Sequence, residues 1–155
     1  MDQKEKNSQV EPAISSEPPH MTGLERGRHR ILLVDDDDAI LRIATRVLRA
    51  EHEILSTTQP REALARLVAG ERFDLIVCDV TMPDLTGLQL FAALLAAVPE
   101  AARRVAFMTG GALDEPSETL LRTTATPVIW KPFTAQQLRA SVRDILASLA
   151  IQTGA

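Results

Sequence analysis

Acidic side chains stand directly behind two short apolar segments of the chain. Residues 35–38, all aspartate, follow the apolar run at 31–34, and Asp79 follows the apolar run at 75–78. A short apolar run that ends in charge is typical of a buried strand in a parallel sheet, and open α/β proteins keep their sites at the carboxyl ends of such strands. Carboxylates brought together repel one another unless a cation joins them. Oxygen ligands without nearby His or Cys favour Mg²⁺, which commonly shares its coordination with a phosphate.

A hydroxyl and a cation follow two later apolar runs. Thr109 comes after the run at 105–108, and Lys131 comes after the run at 127–130. A carboxylate such as Asp79 can attack phosphorus, and the transferred group needs its oxygens neutralised by a metal, an ammonium and a hydroxyl. Each residue alone has an ordinary interpretation, as a strand-end hydroxyl or a surface charge. Their coincidence at successive strand ends predicts a site for phosphoryl transfer.

The elements that must position these residues alternate regularly. The pattern predicts strands at 31–34, 53–57, 74–78, 104–108 and 127–130, and helices at 38–50, 60–69, 87–97, 116–123 and 134–149. Strict alternation implies right-handed crossovers and a parallel sheet with helices on both faces. Asp37 or Asp38 is the expected N-cap of the first helix, and Pro60 starts the second. Thr134 with Gln137 forms the sequence signature of a capping box for the last helix.

Length and composition favour one cored domain without an electrostatic footprint for nucleic acid. The chain has 155 residues and a formal net charge of −4, and its basic residues are scattered rather than clustered. Residues 1–28, rich in Pro and polar residues, are predicted to form a disordered tail. The domain is expected at 29–150, with a short tail at 151–155. Neither an export signal nor a membrane-spanning run is recognisable, which favours a cytoplasmic protein without membrane insertion.

Cysteine and histidine are assigned ordinary roles. Cys78 lies inside a predicted strand and is expected to be a packed core thiol, because one cysteine cannot form an internal disulfide. His20, His29 and His52 lack metal-ligand partners at useful spacing and are predicted to lie in the tail or on the surface. A phosphodonor histidine would then belong to another protein.

Four segments together resemble the receiver domain of two-component response regulators. They read LLVDDDDAI, LIVCDVTMPDLTG, VAFMTGG and VIWKPF, and the resemblance covers residues 30–149. It implies a five-stranded, doubly wound (βα)5 flavodoxin-like fold with strand order 2-1-3-4-5. The combination is specific, although each segment alone is a weak signal.

The resemblance also implies a role for each site residue. Asp79 would be the phosphoacceptor, and Asp35 and Asp36 would hold Mg²⁺, Asp35 largely through water. Thr81 would contribute its backbone carbonyl to the metal. Thr109 and Lys131 would bind the phosphoryl group, and a cis Lys131-Pro132 peptide would aim the lysine inward.

By the same resemblance, the partners are a histidine kinase or a histidine phosphotransfer protein and an unidentified downstream protein. A homodimer through the fourth predicted helix, the last strand and the last helix is a further expectation. The chain would act as a single-domain regulator that catalyses its own aspartyl phosphorylation and dephosphorylation. The alternative within the family is a phosphorelay intermediate that passes the phosphate onward.

Three other readings compete. An aspartate-based phosphatase of the haloacid dehalogenase kind would use Asp35 as its nucleophile, but Ala39 stands where its first motif has Thr or Val. A flavodoxin-like cofactor protein would need a phosphate-binding loop after the first strand, and none is recognisable. The third alternative is a receiver-fold interaction module that has lost phosphorylation, and retention of all five site residues argues against it.

Two apolar side chains are candidate contacts for partners. Helical spacing predicts Leu41 on the outer face of the first helix, with Ile40, Ile43, Ala44 and Val47 facing inward. By the family resemblance, an exposed Leu41 beside the acidic residues would be an anchor for a kinase, although isolated exposed leucines are common. Trp130, next to Lys131, is either a contact residue or a ring lying on neighbouring aliphatic surface.

Overall fold

The computed structural model describes residues 28–152, in which strands and helices alternate. The strands are β1 (Arg30–Val34), β2 (Glu53–Thr57), β3 (Leu75–Asp79), β4 (Val105–Thr109) and β5 (Val128–Trp130). The helices are α1 (Asp38–Leu48), α2 (Pro60–Val68), α3 (Gly87–Ala97), α4 (Pro99–Ala102), α5 (Glu115–Thr124) and α6 (Ala135–Gln152). Most bounds agree with the predicted ones to within one or two residues. The one-turn helix α4 was not predicted, and α6 extends three residues beyond the predicted end.

The five strands form one parallel sheet in the order β2-β1-β3-β4-β5. The predicted fold class and strand order are therefore confirmed. All strands end at one side of the sheet, here called the carboxyl edge, and begin at the opposite amino edge. β1 begins at the amino edge, and α6 returns to it after β5, where Arg143 forms an ion pair of 3.4 Å with Glu51.

The core has two halves, one on each face of the sheet. On one face, alternate strand residues such as Leu32 and Ile76 pack against α2, α3, α4 and α5. On the other face, their neighbours Ile31 and Val77 pack against α1 and α6. The predicted stripe of α6 is buried and comprises Leu138, Val142, Ile145, Leu146 and Leu149. Because β1 and β3 are covered on both faces, residues 31–34 and 75–78 form continuous apolar runs.

Capping residues fix where the helices begin. The Asp37 side chain accepts the Ala39 N–H at 2.9 Å and caps α1, and Pro60 starts α2. Thr134 and Gln137 make both hydrogen bonds of the predicted capping box before α6. These contacts satisfy amide groups that lack partners inside the helix, and they hold the helix starts at the carboxyl edge.

The predicted orientation of α1 was wrong at its central positions. Leu41 is buried, with 3% of its surface exposed, and packs in the core with Ala44 and Leu48. Ile43, predicted to face inward, is 53% exposed. Leu41, Ala44 and Leu48 are spaced so that they share one face of the helix. The buried face is therefore rotated about the helix axis by about one residue relative to the predicted face. Leu41 therefore cannot serve as a surface anchor for a kinase.

The surface location predicted for His52 was also wrong. His52 is 8% exposed and its Nδ1 atom accepts the backbone N–H of His29 at 3.4 Å. Burial and the neighbouring His29 lower the pKa of His52 below its ordinary value. His29 is half-buried, whereas His20 lies outside the described residues. The two rings lie 5.5 Å apart and help to close the amino edge between β1 and the end of α1.

Cys78 is fully buried in β3, as expected of a core thiol. Burial, with the charges of Asp79 and Asp35, raises the pKa of its thiol far above the ordinary value. Within residues 28–152, no helix is both long enough and apolar enough to cross a bilayer. The predicted tail lies outside the described residues up to position 27.

Candidate functional site

The predicted site residues meet at the carboxyl edge because three neighbouring strands end there. β3 ends at Asp79, β4 ends at Thr109, and Asp35 follows the last residue of β1. Thr109 is 2% exposed and Asp35 is 0% exposed. The backbone N–H of Asp35 donates to the carbonyl of Thr57 at 3.3 Å, which holds the end of β2 beside the site. The sheet thus places two buried polar groups in the middle of its edge.

Three carboxylates form the centre of the site. One oxygen from each of Asp35, Asp36 and Asp79 lies within 4.8 Å of the other two. Asp35 and Asp79 are buried and Asp36 is exposed. The backbone N–H of Asp37 donates to Asp35 Oδ1 at 2.9 Å, so the carboxylate of Asp35 is held in one orientation. Asp37 itself caps α1, which leaves Asp36 free to face the cluster.

Lys131 reaches the cluster from the end of β5. Its Nζ atom lies 2.8 Å from Asp35 Oδ2 and 3.4 Å from Asp79 Oδ1. The Lys131 N–H donates to the carbonyl of Thr109 at 2.8 Å, which fixes the lysine backbone beside β4. The Lys131-Pro132 peptide is cis, as the resemblance predicted. A Cβ atom on Gly110 would come within 3.0 Å of Lys131 Cβ, so the glycine leaves room for the lysine side chain.

The electrostatics of the cluster make Asp79 unusual. Burial and the charge of Asp35 raise its pKa from 3.8 to about 6, although Lys131 partly offsets both effects. Burial works against the ammonium of Lys131, but hydrogen bonds and charges from Asp35 and then Asp79 raise its pKa above the ordinary value. Lys131 therefore stays protonated. Three carboxylates with one ammonium carry a formal charge of −2 when all are ionised.

The loop between β3 and α3 passes close to Asp79. Gly87, the first residue of α3, packs so tightly on the Asp79 carbonyl oxygen that a Cβ atom there would collide with it. The Gly87 N–H donates to the carbonyl of Val80 at 3.0 Å and closes the base of the loop. Thr81 lies within this loop with its side chain exposed, and Met82 is buried. A glycine is therefore required where the chain returns to the site.

Two contacts around the site were not predicted. Lys131 was expected to face a phosphoryl group, and its bond to Asp35 was missed because the two residues are 96 positions apart. An ion pair of 2.7 Å joins Arg61 of α2 to Asp84 in the loop after Asp79. Asp84 has a φ of 73°. Its position after Met-Pro is a turn signal, but nothing in the sequence singles out Arg61 as its partner.

The donor set fits a hard divalent cation. Carboxylate oxygens are the ligands that Mg²⁺ prefers, and it binds through one or two of them while keeping several waters. Burial and then the charge of Asp35 raise the pKa of Asp79 despite the nearby Lys131, so a dication would stabilise carboxylates that the ammonium does not fully neutralise.

Comparison of the sequence with known protein families identifies one family whose model matches most of the chain. Residues 31–143 match the model of the response regulator receiver domain. The sensor kinase CckA of Brucella abortus is 30% identical over 124 residues, which cover 77% of this chain and 13% of that protein. The two-component response regulator ARR10 of Arabidopsis thaliana is 41% identical over 63 residues, covering 39% of this chain and 11% of that protein. The chain thus spans only a small part of the length of these relatives.

Solved structures agree with this match. A CheY-like response regulator receiver domain protein from Methanospirillum hungatei superposes with a TM-score of 0.69 at 30% identity, covering 81% of this chain and 98% of that one. The receiver domain of a Vibrio parahaemolyticus protein reaches 0.70 at 20% identity, a likeness in fold alone. The acidic edge, the strand order and these matches agree: the chain belongs to the response regulator receiver domain family.

Proposed function

We propose that this chain accepts a phosphoryl group on Asp79 from a phosphohistidine and signals through contacts that depend on that modification. The observation that carries the proposal is the convergence of Asp35, Asp36 and Asp79 within 4.8 Å, with the Lys131 ammonium between two of them. Asp79 is the carboxylate that ends a central strand, and the other groups surround it. Membership of the receiver family supports phosphoryl acceptance in general.

The chemistry asks little of the protein beyond positioning and charge. An oxygen of the Asp79 carboxylate attacks phosphorus, the oxygen–phosphorus bond forms, and the phosphorus–nitrogen bond of the donor breaks as the imidazole takes up a proton. Lys131 then pairs with the new phosphoryl oxygens, and the Thr109 hydroxyl donates to them. Water attack on phosphorus later releases inorganic phosphate and restores the carboxylate. The nucleophile must be ionised, and a bound dication would favour the ionised form of Asp79.

Asp35 and Asp36 would hold Mg²⁺ together with Asp79 and the backbone carbonyl of Thr81. The metal would neutralise phosphoryl oxygens as they are transferred. Asp36 is the exposed member of the cluster and is therefore the ligand most open to an arriving hydrated ion. Asp35 is shared between the metal and Lys131, which fits a role through water rather than by direct coordination.

Phosphorylation by a small acyl or amido phosphate tests the assignment. The parent protein should gain one phosphoryl mass in Mg²⁺ and none in EDTA. Asp79→Asn should gain none, whereas Asp144→Asn, a matched change at an exposed carboxylate of α6, should behave as the parent does. Asp36→Asn should be phosphorylated only at higher Mg²⁺ concentrations. Retention of the phosphoryl mass in Asp79→Asn would refute the assignment.

The donor protein is proposed to be a histidine kinase or a phosphotransfer protein that docks on α1. Leu41 is buried, so the exposed apolar side chain that α1 offers beside the acidic cluster is Ile43, at 53% exposure. A contact there would place a phosphohistidine over the carboxyl edge. Arg42 and Arg46, both exposed, flank Ile43 and suit a donor with acidic residues around its histidine.

A matched pair of variants tests this docking. Ile43→Glu should slow transfer from the cognate phosphohistidine donor at least tenfold and leave phosphorylation by a small-molecule donor unchanged. Val68→Glu is the control, because Val68 has the same 53% exposure on α2, on the other face of the sheet. Equal transfer rates in the two variants would show that Ile43 has no docking role.

A further inference from the structure

A loop in an uncommon conformation borders the proposed metal site. Within residues 80–87, the Leu85 N–H donates to the carbonyl of Pro83 at 2.8 Å, a hydrogen bond that spans three residues with Asp84 at the centre. Asp84 has a φ of 73°. That value belongs to the rare form of the three-residue turn, which is strained for residues other than glycine. Aspartate adopts positive φ more readily than most residues, and a contact to its side chain from outside the loop would favour this conformation further.

One side chain from another element reaches Asp84. Arg61 Nε donates to Asp84 Oδ2 at 2.7 Å, which joins the first turn of α2 to the tip of the loop. The bond is charge-assisted, and its length is at the short end for such pairs. The base of the loop is closed by the Gly87–Val80 hydrogen bond, and Met82 is buried. Arg61 thus supplies the contact at the tip.

The start of α2, which carries Arg61, is connected to the acidic cluster by hydrogen bonds. The Asp35 N–H donates to the carbonyl of Thr57 at 3.3 Å. The Thr57 hydroxyl donates to Glu62 at 3.0 Å and accepts the Gln59 N–H at 3.0 Å. These bonds fix the start of α2 relative to Asp35. Arg61 therefore contacts Asp84 from a segment that is itself hydrogen-bonded to Asp35, a proposed metal ligand.

We propose that Arg61 is a positioning residue for the metal and phosphoryl site, acting through Asp84 to hold the loop that carries Thr81. The inference rests on the proposed function, since Thr81 is a ligand only if a metal binds. Without Arg61, Asp84 would relax toward negative φ, the turn would open, and the loop backbone at Thr81 would be displaced. Arg61 itself contacts neither the metal nor the phosphoryl group.

Removing Arg61 should change the affinity for Mg²⁺ in one direction if the arginine acts through its charge, and in the opposite direction if it acts by holding the loop. Arg61→Ala deletes a cation and leaves Asp84 unpaired, which by Coulomb's law alone would strengthen binding of a dication nearby. If Arg61 acts by position, Mg²⁺ binding should instead weaken by about two- to fivefold, the range that an exposed ion pair can supply. The sign of the change therefore separates the two causes.

The experiment is a Mg²⁺ titration followed through backbone amide resonances, with amide hydrogen exchange measured before metal is added. In Arg61→Ala, the Leu85 amide should exchange faster and Mg²⁺ should bind more weakly. Arg103→Ala is the control, because Arg103 forms a similarly exposed ion pair of 3.1 Å with Glu100, just after α4. It should change neither quantity.

Glycine at position 84 supplies the second test. Asp84→Gly adopts positive φ without strain and should bind Mg²⁺ within about twofold of the parent, and adding Arg61→Ala should then have no further effect. A loss that persists in the glycine background would overturn the proposal, as would unchanged binding and exchange in Arg61→Ala. If the parent itself binds no Mg²⁺, the proposed metal site fails, while the exchange of Leu85 still decides whether Arg61 holds the loop.

Discussion

Replacing Asp79 with asparagine should stabilise the folded protein at neutral pH. The raised pKa of Asp79, about 6 against 3.8 in an unfolded chain, means that the folded protein binds this proton more tightly than the unfolded protein does. The stabilisation that this proton contributes to the folded state is fully present below pH 3.8, and it is lost as the pH rises through about 6. At pH 7.5 the ionised carboxylate costs the folded state about 3 kcal/mol, since one pKa unit corresponds to about 1.4 kcal/mol. Asparagine removes the charge and keeps the size.

The size of the effect should follow pH in a defined way. The pKa of about 6 already includes the attraction of Lys131 at 3.4 Å, and asparagine differs from a protonated aspartate in its hydrogen bonds, so a gain of about 1–3 kcal/mol is expected at pH 7.5. From the same pKa values, the cost in the parent shrinks to about 1 kcal/mol at pH 4.5. The difference between variant and parent should therefore fall by roughly 2 kcal/mol between these pH values.

Urea unfolding in EDTA at pH 7.5 and 4.5 measures this difference. Asp144→Asn, at an exposed position, should stay within about 0.5 kcal/mol of the parent at both pH values. Adding Mg²⁺ should stabilise the parent more than Asp79→Asn, because the metal binds a complete set of carboxylates only in the parent. A destabilised Asp79→Asn at pH 7.5, or a difference that does not change with pH, would refute the electrostatic reasoning.

Four further substitutions test the fold. Leu41→Ala should lower the free energy of unfolding by about 2–5 kcal/mol, whereas Ile43→Ala should change it by less than about 0.5 kcal/mol. Small changes for both variants in urea titrations would contradict the buried position of Leu41. Gly87→Ala should cost about 1–3 kcal/mol and weaken Mg²⁺ binding, because its Cβ collides with the Asp79 carbonyl; an unchanged melting temperature would disprove this. Ala125→Gly should add about 0.5–1 kcal/mol by removing a left-handed alanine at φ 54°, and a lower melting temperature would count against it.

The strand ends of the site could be predicted because they depend on local pattern. A continuous apolar run such as 31–34 or 75–78 is compatible with a buried parallel strand, and the acidic residue after it marks the edge. Alternation with amphipathic helices then fixes a parallel sheet, whose strands all end on one side. Asp35 and Asp79 were brought together by that reasoning alone, whereas the strand order came from the family resemblance.

The orientation of α1 could not be predicted because its apolar residues form two overlapping stripes. Ile40, Leu41 and Ile43 are all apolar, so rotation of the helix by one residue exchanges which of them is buried. The small residue Ala44 and the contact with α6 decide the outcome in the structure. The burial of His52 could not be predicted either, because it depends on contact with His29, which lies 23 residues earlier in the chain.

Contacts between distant side chains set the finer geometry of the site. Lys131 bonds to Asp35 at 2.8 Å as well as approaching Asp79, and its side chain passes Gly110, where a Cβ atom would lie 3.0 Å from Lys131 Cβ. The Arg61–Asp84 pair depends on how α2 packs beside the loop after β3. Spacing in the sequence carries no signal for either contact.

The return of α6 to the amino edge determines where other chain segments can be attached. Arg28, before β1, and Gln152, at the end of α6, both lie at that edge. The site is about 16 Å away, the length of a five-residue strand. Chain segments that continue from these two points therefore start on the side of the sheet opposite the site, so neither attachment point itself covers the carboxyl edge. Under the proposed function, a phosphoryl group on Asp79 would lie about one strand length from both attachment points.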